Sequence, residues 1–165
     1  FRVKSSMDGL IAASLDFYIE SGAASFAWCQ GGDHIGGDPG VIRLTRKLMN
    51  SWFCSTERPF SIPGRINEDT TAYTLHGRRG LLFLTTMQAQ LNQTQTQKNP
   101  GGLTELYLDT GTYVKTFYSV MYCPSGVRVA ELGDHRSPHY RIHHKVLWER
   151  VAPKILRETD RKASQ

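Results

Sequence analysis

The chain has 165 residues, 39% hydrophobic and 21% charged, a balance that belongs to one folded globular domain and excludes disordered, collagen-like and membrane-spanning classes. Three widely spaced cysteines, Cys29, Cys54 and Cys123, exclude a disulfide framework and a zinc ribbon, so a reducing, cytoplasmic setting is expected. The net charge of +5 is uneven. Residues 1–134 hold 12 Lys+Arg against 12 Asp+Glu, whereas residues 135–165 hold 8 against 3, so the whole excess is C-terminal and can meet a polyanion or form a solvated, salt-bridged face.

In chain order, Ser5 or Ser6 is a helix N-cap, and Leu10, Ile11, Ser14, Leu15, Tyr18 and Ile19 form one largely apolar helical face that Gly22 ends. Residues 24–29 are short, apolar and aromatic, as in a buried strand. Five of the fifteen glycines then fall between 31 and 40, which predicts a loop able to wrap a ligand. A strand is expected around Lys47–Cys54, followed by an extended segment bounded by Pro59 and Pro63. Asn67 is an N-cap candidate for a helix from Glu68 to Arg79, with acids in its first turn, arginines in its last and Gly80 just beyond. A strand over 81–87 precedes a polar loop, Leu91–Gly102. A helix from Thr104 to Tyr122, broken near Gly111, precedes strands at 127–132 and 141–146. A final helix, Trp148–Arg161, is interrupted at Pro153. Strands mixed with amphipathic helices make the fold class α/β, in a single domain spanning 1–165 with a basic helix or tail over 151–165.

Two constellations can carry chemistry. Glu68 and Asp69 stand at the positive end of a helix, where a carboxylate can act as a base toward a hydroxyl or simply match the helix dipole. His135, His139, His143 and His144 fall within ten residues and include a ligand type favoured by transition metals, or they form a polar strand end. Strand alternation places His143 with Arg141 and Lys145, and His144 with Ile142 and Val146, so the two imidazoles are expected on opposite faces. The Gly-rich stretch has no G-K-[ST] ending, and its nucleotide signal is weak.

The strings GRINEDTTAYTLHGRRGLLFLTT, TQTQKNPGGLTELY and RIHHKVLW, in this order, resemble the phage glycosyltransferases associated with TET/JBP dioxygenases, a divergent group of the GT-A fold. The resemblance covers about residues 23–150. It implies a GT-A-like mixed sheet flanked by helices and transfer of a sugar from a nucleotide-sugar to a hydroxymethylpyrimidine in phage DNA. It further implies Asp69 and Glu68 as catalytic carboxylates, with Arg65, Asn67, Lys98, Gly101, Gly102 and Glu105 toward the acceptor. Arg141 and Lys145 would meet the nucleotide diphosphate, and His143 or His144 a divalent metal, Mn²⁺ or Mg²⁺. The family's nucleotide-binding half and acidic metal motif have no counterpart before Ala23, which implies either the acceptor-side portion of a longer protein or a shortened relative that has lost catalysis. The competing expectation is a non-enzymatic nucleic-acid-binding or phage structural protein, and a metal-dependent nuclease ranks last.

Overall fold

The structure is a computed structural model, described for residues 6–30, 42–43, 51–92, 103–136 and 140–153. The expectations for the glycine-rich loop 31–40, for Lys98, Gly101 and Gly102, for His139 and for the basic segment from Lys154 onward lie outside the described residues.

The elements run α1 (Met7–Ser21), β1 (Ser25–Gln30), β2 (Ile42–Arg43), β3 (Trp52–Phe53), α2 (Glu68–Gly77), β4 (Phe83–Leu91), α3 (Thr104–Thr110), α4 (Tyr113–Tyr122), β5 (Val127–Leu132), β6 (Arg141–Val146) and α5 (Trp148–Val151). Helices and a mixed sheet make the protein α/β, as the sequence predicts. The main sheet has the order β2-β4-β1-β3, with β1 and β4 parallel at its centre and β2 and β3 antiparallel at its edges. Parallel neighbours need a crossover, and α2 lies in that connection. A second, two-stranded antiparallel sheet is formed by β5 and β6.

Ser6 caps α1 by accepting from Gly9 N–H at 3.1 Å, and Gly22 ends it in the left-handed region. The buried face is narrower than its sequence suggests. Leu10, Ile11 and Tyr18 join the core around Phe26 and Trp28, but Leu15 and Ile19 are exposed. Ser14 is drawn inward because its hydroxyl accepts from the Trp28 indole at 3.0 Å, which fixes the rotation of the helix about its axis. Of the strand expected over Lys47–Cys54, residues 47–50 lie outside the described residues, and within the rest β3 pairs Trp52 with Ala27 and Phe53 with Phe26.

The register of β1 and β4 is continuous from Ser25↔Phe83 to Trp28↔Thr86, then shifts so that Cys29 pairs with Gln90 and Gln30 with Leu91. This bulge buries Met87 and Ala89 and lets the Cys29 thiol meet the Ala89 carbonyl at 3.1 Å. Gln30 and Leu91 are register partners at the carboxyl end of the parallel strands. In open α/β sheets that end is where ligands bind.

α2 stops at Gly77, two residues before the predicted end. A Cβ on Gly77 would stand 2.4 Å from the Val151 carbonyl oxygen, so only glycine lets α2 pack against α5 there. The first part of the helix expected from Trp148 ends at Val151, ahead of the interruption expected at Pro153, since Ala152 before the proline is extended. Tyr73 of α2 stacks on Trp148 at 5.3 Å between centroids, and Val146 and Trp148 contact the core on both sides of α2.

Candidate functional site

The first turn of α2 is joined to α4 and β6 through one side chain. Asn67 is buried and has φ 55°, ψ 32°, making it the one non-glycine residue at positive φ among the described residues. That conformation costs an L-residue about 1–2 kcal/mol, less for asparagine, and persists only where its surroundings impose it. Asn67 occupies the predicted N-cap position but caps no backbone N–H. The left-handed turn carries its amide into the protein instead. Its Nδ2 donates to the Ser119 hydroxyl of α4 and lies 3.3 Å from Nδ1 of His144, while its Oδ1 accepts from the Thr70 hydroxyl at 3.3 Å. Capping falls to Asp69, whose Oδ1 accepts from Thr70 N–H at 2.7 Å.

The preceding loop is pinned to α4. Gly64 has φ +95°, and a Cβ there would stand 3.2 Å from the Tyr118 ring. Ile66 is buried beside it, whereas Arg65 is exposed. α4 is in turn attached to β6 by the Thr112 hydroxyl, which donates to the Ile142 carbonyl. Along the same helix Thr116 and Ser119 are buried, and the Thr116 hydroxyl is the one fully buried side-chain polar atom without a hydrogen-bond partner among the described residues.

Tyr107 of α3 faces the carboxylates. Burial raises its phenol above the ordinary value, and the negative charges of Glu68 and then Asp69 raise it further, so it is held as a neutral hydroxyl. The Lys115 ammonium lies 5.9 Å over the Tyr107 ring. One region therefore holds two carboxylates, a phenol that remains a proton donor, and a cation from the start of α4. Glu105, two residues before Tyr107 on α3, is exposed.

The two histidines have opposite roles. Asn67 Nδ2 can only donate, so Nδ1 of His144 accepts and a neutral His144 carries its proton on Nε2. Nδ1 of His143 lies 2.9 Å from the His144 carbonyl oxygen and must donate, so a neutral His143 has its lone pair on Nε2. Of the pair, His143 is the better metal ligand, since His144 would have to leave Asn67 or change tautomer. The expected separation of the rings does not hold. Alternation parts their Cβ atoms, but the bond from His143 to the following carbonyl swings its ring along the strand, and the centroids come within 4.2 Å.

Other predicted site residues lie elsewhere. Arg141 and Lys145 are exposed and alternate away from His144 and Asn67. His135 does not join His143 and His144, because it pairs with Glu131 at 3.2 Å on the exposed end of β5. Among the described residues no group of three or more His, Cys, Asp or Glu is placed to hold a metal ion. An open depression of about 510 Å³ lies at the opposite end of α2, lined by Gly22, Arg78, Glu149 and Arg150 among others. It offers no combination of base, phenol and cation like that at the first turn.

Tyr107, Lys115 and Ser119 were not singled out as site residues from the sequence. Tyr107 closes the string GGLTELY, and Lys115 is the lone charge in the helix YVKTFYSVMY, which are the signals that mark them. No protein-family model, no curated protein and no solved structure matches the chain.

Proposed function

We propose that the protein is a glycosyltransferase that moves a sugar from a nucleotide-sugar to the hydroxymethyl group of a modified pyrimidine in DNA. The observation that carries this reading is the convergence of segments far apart in sequence. The Glu68–Asp69 turn, Tyr107 and Lys115 share one region, and Asn67 ties that region to His144. Asn67, Glu68, Asp69, Tyr107 and His144 belong to the three strings that carry the resemblance to the TET/JBP-associated glycosyltransferases, whereas Lys115 lies between the second and the third.

In this reading the Thr70 N–H holds Oδ1 of Asp69 and so directs Oδ2 toward the acceptor. Asp69 takes the proton of the hydroxymethyl oxygen as that oxygen bonds to the anomeric carbon and the bond to the nucleoside diphosphate breaks. Lys115 offsets the charge that grows on the departing diphosphate, and the Tyr107 hydroxyl donates a hydrogen bond to an oxygen of the acceptor or donor. Reaching a base in a duplex requires its extrusion from the stack. The described residues do not by themselves supply a set of metal donors, and no step is assigned to a metal. A Mn²⁺ or Mg²⁺ ion bound with the nucleotide-sugar would take His143 Nε2 together with donors outside the described residues.

The test is release of nucleoside diphosphate from a panel of nucleotide-sugars with hydroxymethylpyrimidine DNA. Asp69→Asn keeps the shape and the bond to Thr70 but removes the base, and it should slow transfer by about 10²–10⁴-fold. Near-wild-type transfer by D69N would remove Asp69 from this role.

A further inference from the structure

The register of the small sheet assembles a cationic face whose Arg128, Arg141 and Lys145 have no part in the proposed transfer step. Opposed residues in an antiparallel pair share a face, and the pairs Arg128↔Lys145, Ala130↔His143 and Leu132↔Arg141 fall on one side of β5–β6. The other side carries Val127, Val129, Glu131, Ile142, His144 and Val146, and its His144 reaches Asn67. Arg128, Arg141 and Lys145 are exposed. No carboxylate shares their face in the paired register, and Glu131, on the opposite face, is occupied by His135 and by the Tyr140 hydroxyl.

Two cations directly opposed across a ladder destabilise a sheet, where opposite charges would stabilise it. Here Arg128 stands against Lys145, and neither has an ion-pair partner among the described residues. Such a face gains free energy when an anion lies on it. At about 3.3 Å per residue, Lys145 and Arg141 are about 13 Å apart along β6, with His143 between them. That span, on an open and exposed ladder, is too long for the two phosphates of a single nucleotide-sugar and suits a repeating polyanion.

We propose that the Arg128/Lys145/Arg141 face of β5–β6 binds the phosphodiester backbone of duplex DNA. The choice of DNA rests on the proposed function. Contacts of this type position a duplex without reading its sequence, so the face serves acceptors of any sequence context.

The experiment is anisotropy of a labelled duplex, titrated with the protein across a series of salt concentrations. Each phosphate neutralised contributes about 0.9 to the slope of log affinity against log salt. R128A/K145A should lower that slope by about 1.8 and weaken binding at least tenfold near 0.1 M salt. R128K should retain the slope, and Arg79→Ala, an exposed arginine just past α2, should leave it unchanged. Circular dichroism of each variant checks that the small sheet remains folded. A wild-type protein that fails to bind DNA at low salt, a double variant with the wild-type slope, or an equal loss in R79A would each overturn the proposal. So would a double variant that loses affinity for a nucleoside diphosphate while keeping its DNA slope, since the face would then belong to the donor. Failure of the glycosyltransferase reading is separate: no transfer with any donor alongside a lowered slope in R128A/K145A would leave the DNA face standing.

Discussion

Replacing Asn67 tests whether one strained residue holds the candidate site together. In Asn67→Ala the left-handed conformation remains, because the loop from Gly64 and the start of α2 both impose it, and alanine carries the full cost of about 1–2 kcal/mol. The substitution also removes the donor to Ser119 and the acceptor of the Thr70 hydroxyl, both in the interior. A lost buried hydrogen bond costs about 1 kcal/mol, and more where the remaining group is left unsatisfied. The sum is about 3–4 kcal/mol. For a chain of this length each kcal/mol moves the midpoint of thermal unfolding by about 2–4 °C, so N67A should melt about 10 °C below the parent. Asn67→Gly loses the same side-chain bonds but relieves the backbone, and should recover about 1–2 kcal/mol of the loss. Urea unfolding of the three proteins measures both quantities, provided the m-values agree. If glycine proved no more stable than alanine, the left-handed turn would not be imposed by the fold, and the account of how Glu68 and Asp69 are positioned would fail.

Other expected outcomes follow from the same geometry. Gly64→Ala places a Cβ at φ +95° against the Tyr118 ring and should cost about 1–2 kcal/mol in urea unfolding, and an unchanged midpoint would contradict the close approach. Thr116→Val removes a buried hydroxyl that has no partner and should stabilise the fold by about 1 kcal/mol, whereas a loss of stability would mean that the hydroxyl is used. Burial, and secondarily the charge of Asp69, raise the Tyr73 phenol far above its ordinary value, while its hydrogen bond with Thr70 opposes them. Above about pH 10 the unfolded chain loses this proton and the folded chain keeps it, so stability should fall as pH rises through the alkaline range. Tyr73→Phe keeps the stacking on Trp148 and should flatten that decline, and urea midpoints from pH 9 to 11 that fall equally in both proteins would refute the assignment.

Much of this arrangement is legible in the sequence, and the unreadable part has a physical reason. The acids after Asn67 and the break at Gly111 announce the start of α2 and the division between α3 and α4, because capping and glycine effects are local. The conformation of Asn67 is not legible. Asparagine before a helix ordinarily signals side-chain capping, and only the contacts with Ser119 and His144, far along the chain, draw its amide the other way. Likewise α1 reads as a broad apolar face, but the Trp28 indole selects Ser14 as an inward residue and rotates Leu15 and Ile19 toward solvent. The faces of β6 follow from alternation, while the approach of the two imidazole rings depends on a bond within the strand that spacing does not encode.

The parallel pairing of β1 with β4 also sets the order in which the molecule can assemble. Ser25 must find Phe83, and β2, β3 and α2 all lie in the loop so closed, whereas α4, β5 and β6 follow one another within a short stretch of chain. Closing the long loop delays its reward until many residues are already ordered, so the β5–β6 unit and α4 should gain structure before the central sheet does. The Asn67 contacts with Ser119 and His144 span these two units and can form only once both exist. The carboxylates of Glu68 and Asp69 thus reach their final positions in the last stage of folding, and in pulsed hydrogen exchange the first turn of α2 should acquire protection after the amides of β5 and β6.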